Sequence, residues 1–468
     1  MTGTKPEVGI DELRVKIAET TVEIIRLAGR RNNLAREVGR LKAIESIPIE
    51  DDAVEDSLLR EVTEECDRAG VDRSAGLKML ALLLAESKKA QGIQALQSGP
   101  SPMSVFAKAV ELQRGGVKLI RLDVGEPDFR PPRAVLNACS GAMFGFKTHY
   151  TEARGIPELL SALRGYLRRK SGFAATEDEI AVTPSGRFAV YASLSAVVSE
   201  GDSAIVPEPN WPAYREVLKH LGAKPIVIHG RLEDGWSLSA GEVERAIRPN
   251  TKAIILSYPN NPTGKVISQE AFREVVQVAD DRGLTVVSDE IYNEYSSKPC
   301  PSVLHTHTAP KKFVMTSSFS KAWAMTGFRI GYVVSSKDII ARVASMTSLV
   351  LSSVPEFIQH GAIKALDSDT EVKKNVAVMN DRVEAISREL DRIGSLEYVK
   401  PDGAMYFFPR LRKPGLTGGM LAESLLQRGV TVTPGVAFGS YEDFFRISLG
   451  QPKEVILEGV RRMGDLLA

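Results

Sequence analysis

At 468 residues, with 43% hydrophobic and 25% charged side chains, the chain is too long for one typical domain and has the balance of an ordinary soluble globular protein. Its 60 basic and 59 acidic residues leave a formal charge of +1, so no global field draws a polyanion and nucleic acid is not an expected partner. Cys66, Cys139 and Cys300 stand apart without metal-ligand spacing, the N-terminus is charged where an export signal is apolar, and no apolar run reaches membrane-spanning length; a cytoplasmic setting without metal or membrane is expected.

From residue 10 to 46, Leu13, Ile17, Ile24, Leu27, Leu34, Val38 and Leu41 recur at three- and four-residue steps, which predicts one long amphipathic helix ended by Pro48. A second helix is expected over about 52–69, closed by Gly70, and a third over about 73–95. QSGPSPMS, residues 97–104, supplies a Pro/Gly/Ser linker. Beyond it, β-rich runs such as AIILSYP, LTVVSDE and KFVMTSS alternate with helical stretches, the signature of a mostly parallel sheet covered by helices. The chain thus divides into an all-α domain over 1–96, the linker, and an α/β unit over 105–468. Three helices around a narrow seam make a poor core for one copy, so the first module is expected to pair with a second.

Within the first helix, GRRNNLAREVGRLK (29–42) carries five basic residues and one acid, yet residues 1–95 hold 15 basic and 18 acidic residues, net −3, so the cluster is local. Arg31 occupies a seam position where an apolar residue is due. A buried guanidinium without a partner costs several kcal/mol, so something negative should meet it. Lys42 lies eleven residues on, about 20° away in heading and about 16 Å along the axis, looking into the same groove. Arg14 is about 25 Å from Arg31 on the same rod and can serve that groove only from a partner chain. Arg30, Arg36 and Arg40 read as a solvated face.

In the α/β unit, polar residues follow three separate β-rich runs: Asn261 in SYPNNPTGK, Asp289 and Tyr292 in VVSDEIYNEY, and Lys321 in SSFSKAWAMTGFRIGY. Open α/β sheets gather their sites at the carboxyl ends of strands. The set suits pyridoxal 5'-phosphate, which needs a lysine for a Schiff base and a carboxylate at its ring nitrogen. Tyr292 and Asn261 suit its phenolic oxygen. Ser318, Arg329 and the turn Ser185, Gly186, Arg187 before a helix suit its phosphate.

These residues carry a resemblance. From about 100 to 468 the chain resembles the aspartate-aminotransferase-like, fold type I pyridoxal-phosphate enzymes, with LDVGEPDF, HYTEARGIPELLSAL, PNWPAY, PNNPTG, SDEIYNEY, SFSKAWAMTGFRIG and FRISLG in family order. The resemblance implies a large domain over about 136–344 and a small α+β domain made of about 105–135 plus 345–468. It implies Lys321 as Schiff base and proton shuttle, Asp289 as partner of the ring nitrogen and Trp211 stacked on the ring. Tyr150 would reach the phosphate of the neighbouring subunit, and Arg446 would clamp the substrate α-carboxylate beside the Gly125 backbone. Arg130 and Arg154 lie near substrate-proximal motifs as candidates for a second carboxylate; their other reading is surface arginines.

Residues 10–95 resemble the small all-α chorismate mutases, with LRVKI, the RR..LA.EVG..K pattern, the acidic stretch after IPI, and ESKKAQ in order. That resemblance implies Arg31 and a partner-chain Arg14 on the substrate carboxylates, Lys42 and Gln91 at the ether oxygen, Asp51 and Glu55 near the ring hydroxyl, and Ser87 in the lining. The family often has an arginine just before the residue equivalent to Glu55; here Val54 stands there. Together the resemblances imply a homodimeric or larger bifunctional enzyme of phenylalanine and tyrosine biosynthesis: chorismate to prephenate, then amino transfer from glutamate or aspartate to prephenate or an aromatic 2-oxo acid. The alternatives are an aspartate or aromatic aminotransferase carrying a non-catalytic effector-binding or dimerising module, and a lyase on the same scaffold.

Overall fold

A computed structural model describes residues 9–45, 52–90, 109–305 and 309–468, and the chain separates into two compact units, 1–99 and 100–468. In the first unit, helices α1 (Ile10–Glu45), α2 (Asp52–Ala69) and α3 (Arg73–Ala90) follow the expected order, with α3 packed on both others. Gly70, at φ 67°, ends α2 in the left-handed conformation that glycine adopts without cost.

The face that α1 turns to α3 is not the apolar seam. Ala35 and Gly39 are buried and Ala28, Arg31 and Lys42 half-buried, a stripe at three- and four-residue steps made of small residues and two cations. Small side chains let the neighbouring helix come close. The expected seam faces outward: Leu13, Ile17, Ile24, Leu27, Leu34, Val38 and Leu41 are each between 43% and 66% exposed. Arg31 therefore lies one step off that seam, on the buried side.

In the second unit, after β1 (Ile120–Arg121), seven strands among the described residues form one sheet: β2 (Ile180–Thr183), β3 (Ser203–Glu208), β4 (Lys224–His229), β5 (Thr251–Ser257), β6 (Thr285–Asp289), β7 (Phe313–Ser318) and β8 (Gly331–Ser335). Their order is β2-β8-β7-β6-β5-β3-β4, and only β8 runs against the rest. Successive residues face opposite sides of a strand, and both sides here are apolar. Ile254, Val286, Met315 and Val334 enter one core, while Ala253, Val287, Val314 and Val333 enter the other. Helices cover both faces, and the first of these cores runs on to Val372, taking in the helix Glu356–Ala365.

A separate α+β core lies around the helices Asp369–Leu390 and Lys453–Leu467 and the antiparallel strands Tyr406–Phe407 and Phe445–Ser448. β1 joins it by pairing in parallel with Val430–Thr431. Tyr292 and Tyr295, just past β6, are buried in this second core. The loop after β6 is thus fixed from both sides. Among the described residues, no helix is long and apolar enough to cross a membrane.

Candidate active site

The carboxyl ends of β2, β5, β6 and β7 and the start of β8 meet at one edge of the sheet, since Thr183 and Ser318 both pair with Gly331. A cavity of about 420 Å³ opens there. Asn261 enters it after β5, Asp289 from the last position of β6, Tyr292 just past β6, Lys321 after β7, and Arg329 just before β8. Gly186 and Arg187 line it from the start of the helix Gly186–Val197, Trp211 from the loop after β3, and Gly125 and Arg446 from the second core's side. These ten expected residues meet in one chamber.

Two expected residues stand behind the wall. Ser185, strained at φ 105°, caps the helix by accepting from the Phe188 N–H at 3.3 Å, leaving the first N–H groups of the helix open to an anion. Ser318 is buried beside Gly186, its Oγ accepting from Ser320 N at 3.2 Å. Tyr150 is 86% exposed and does not line the cavity of its own chain. Neither does Arg130 nor Arg154; Arg154 is held at 2.6 Å by Asp178.

Asp289 closes the inner end. Tyr214 Oη donates to its Oδ2 at 2.7 Å and Ile291 N to its Oδ1 at 3.3 Å, yet burial pushes its carboxyl up to about 6. A cation brought to that carboxylate would return it towards the ionised form. Burial holds Lys321 below the usual amine range, and its Nζ donates to the carbonyl of Gly125. Arg446, 7% exposed, donates from Nη1 to Asn261 Oδ1 at 2.9 Å and from Nη2 to Asp123 O at 2.6 Å. Its Nε is buried without a partner, and among the described residues no carboxylate faces the guanidinium. The Arg187 guanidinium lies 4.7 Å from the ring centre of Trp211.

An amine, a buried carboxylate, a phenol, an amide, an aromatic face, a cation and a helix N-terminus fit pyridoxal phosphate group by group, and the chamber has the size of a small-molecule site. Tyr214 and Tyr406 were missed. Tyr214 lies inside PNWPAY and had the motif as a signal; Tyr406, in an unbroken apolar run, reads as ordinary core.

Next to the site, Glu290 is buried, accepting from Ser288 Oγ at 3.0 Å, Asn293 Nδ2 at 2.8 Å and Val303 N at 3.1 Å; burial pushes it up from 4.5 to about 7. Glu290 and Asp289 both bind a proton more tightly folded than unfolded. Their contribution to stability is therefore full below the unfolded values and lost as pH rises through about 6 to 7. In calorimetry the cofactor-free protein is expected to unfold at lower temperature as pH rises across this range, and Glu290→Gln to remove up to about 3 kcal/mol of that total loss, flattening the slope. An unchanged slope in the variant would contradict the assignment.

In the helical unit, Arg31 Nη1 donates to Leu83 O at 2.5 Å and to Ser87 Oγ, so α1 and α3 bring these expected residues together; Lys42 lies on the same half-buried stripe. Arg14 is 75% exposed and paired with Asp11 on its own helix, away from this groove. Asp51 and Gln91 lie outside the described residues, as does the Glu55 side chain. Val54 is 61% exposed.

The profile of the family described as aminotransferase class I and II matches residues 117–463, and that of chorismate mutase type II matches residues 13–92. A probable aspartate/prephenate aminotransferase of Aquifex aeolicus is 34% identical over 383 residues, covering 79% of this chain and 96% of its own. The aspartate/prephenate aminotransferase of Thermus thermophilus is 32% identical, covering 80% and 97%. Among solved structures, Thermus thermophilus aspartate aminotransferase with maleate superposes with a TM-score of 0.75 at 32% identity, over 78% of this chain and 96% of that one.

Proposed function

From a chain that belongs to the class I and II aminotransferases and carries a type II chorismate mutase module before them, we propose an enzyme that rearranges chorismate to prephenate and then aminates prephenate, with glutamate or aspartate as donor. The fusion carries the reading. The mutase product is itself a 2-oxo acid, whereas phenylpyruvate or 4-hydroxyphenylpyruvate would need another enzyme in between. Two relatives whose names include prephenate support it.

In the mutase step no proton moves and no covalent intermediate forms, so catalysis is compaction of a dianion and stabilisation of charge on the breaking ether. Arg31 and Lys42 supply fixed cations at two points of one groove. The exposed apolar seam on α1 supports pairing with a second copy, whose Arg14 would complete the set. In the same way, Tyr150, exposed on its own chain, would serve the phosphate of a neighbour.

In the amino transfer, pyridoxal phosphate, on which this family depends, supplies the electron sink for the carbanion. Asp289 would hold the proton at the cofactor's ring nitrogen. Lys321, with its lowered pKa, takes the proton from the substrate α-carbon and returns it. Tyr292 and Asn261 would hold the cofactor's ring oxygen by donated hydrogen bonds, and Trp211 would cover its ring face. Arg446 turns its two Nη groups from neutral partners to the α-carboxylate. Arg187 is better placed for a second carboxylate than Arg130 or Arg154, because it alone of the three lines the cavity.

Incubation with chorismate, pyridoxal phosphate and glutamate or aspartate is expected to yield arogenate, read by mass spectrometry. Prephenate that accumulates with no amino acid formed would defeat the coupled reading.

A further inference from the structure

Tyr406 touches three parts of the site, and the mechanism above gives it no task. It is 1% exposed, on the strand Tyr406–Phe407, and its ring centre lies 4.4 Å from the Arg446 guanidinium. Its hydroxyl is 2.5 Å from that of Tyr292, and a Cβ at residue 125 would overlap it. Only glycine fits opposite this phenol. The charged and titratable groups around the pair are Arg446 on the adjacent strand, Asp289 facing Tyr292, and Lys321, whose Nζ is 5.9 Å from the Tyr292 ring centre; Lys321 itself also faces Arg446, Glu126 and Arg329.

We propose that Tyr406 is a positioning residue that relays occupation of the Arg446 clamp to Tyr292 and so to the proton at Lys321 Nζ, by a phenol–phenol route beside the direct Arg446–Asn261 contact. A cation over an aromatic ring draws electron density from it and makes the ring hydroxyl a better donor. Tyr292 needs its own proton for the ring oxygen of the cofactor, so its oxygen accepts from Tyr406. Donation into one hydroxyl strengthens donation out of it. With Arg446 bare the chain is strong and competes with the Nζ proton for that oxygen. A substrate carboxylate offsets the cation, the chain weakens, and Nζ holds its proton more tightly.

The proposal rests on the cofactor reading and is tested by titrating the visible absorption band of the holoenzyme against pH, with and without maleate as an unreactive dicarboxylate. Tyr406→Phe keeps the ring beneath Arg446 and removes only the hydroxyl. The midpoint is expected to rise by about one pH unit, and the further rise caused by maleate to shrink. In a Tyr292→Phe background, Tyr406→Phe should add nothing, because the relay has lost its second member. A midpoint unmoved by Tyr406→Phe, an undiminished response to maleate, or additive effects of the two substitutions overturns the relay while leaving the cofactor reading intact. A wild-type protein that takes up no cofactor and shows no band overturns both.

Discussion

Lys321→Ala is expected to lower amino transfer by about 10²- to 10⁴-fold, the range associated with losing a positioned proton carrier. The same change removes the amine proposed to hold the cofactor, so the visible band should disappear. The mutase reaction should be untouched, because its groove lies in the other unit and moves no proton. The arrangement around Lys321 explains why neighbours cannot stand in. Its Nζ rests on the Gly125 carbonyl, while the other cations of the cavity are guanidiniums, which do not deprotonate at working pH. Amino transfer that persisted, or a retained band, would move the assignment to another residue.

Arg31→Ala is expected to lower chorismate turnover by about 10²- to 10³-fold, comparable to removing one preorganised donor from a charge-stabilising site. Amino transfer from the same preparation should be unchanged. Arg31→Lys should recover little, since one ammonium cannot reproduce the planar fork that meets a carboxylate and a second acceptor together. Arg31 already holds Leu83 O and Ser87 Oγ, so circular dichroism of the variant separates a lost α1–α3 tie from a lost substrate contact. Turnover unchanged in Arg31→Ala, or absent in the wild type, would favour the alternative of a non-catalytic effector-binding module.

The sequence announced the cofactor chamber more fully than the helical groove, for a physical reason. Asn261, Asp289, Tyr292 and Lys321 each follow a β-rich run, so knowing that strands are parallel is enough to bring them to one edge. Tyr214 and Tyr406 reach the site through one hydroxyl at the tip of a buried ring, and burial is the default expectation for an aromatic residue in an apolar run. On α1, periodicity found the apolar stripe correctly but could not say what covers it. Ala28, Ala35 and Gly39 carry no hydrophobic signal, yet their smallness is what admits α3 and turns Leu27, Leu34 and Val38 outward. Arg130 and Arg154 stood near the right motifs in sequence, and nearness along the chain did not carry over to the cavity.

Arg446 gives the chamber a preference that exists before any substrate arrives. Its charge is buried among amide, carbonyl and hydroxyl oxygens and two aromatic rings, with no carboxylate facing it among the described residues. A buried cation so placed is only partly compensated. An amide, an ester or an amino alcohol of the right shape would fill the space and leave that deficit standing. An amino acid or an oxo acid held by Arg446 in the proposed way would remove it. With Arg446 as the proposed carboxylate clamp, discrimination between acids and their neutral analogues would be a property of the protein's own electrostatics, and the shape of the pocket would have only to choose among acids.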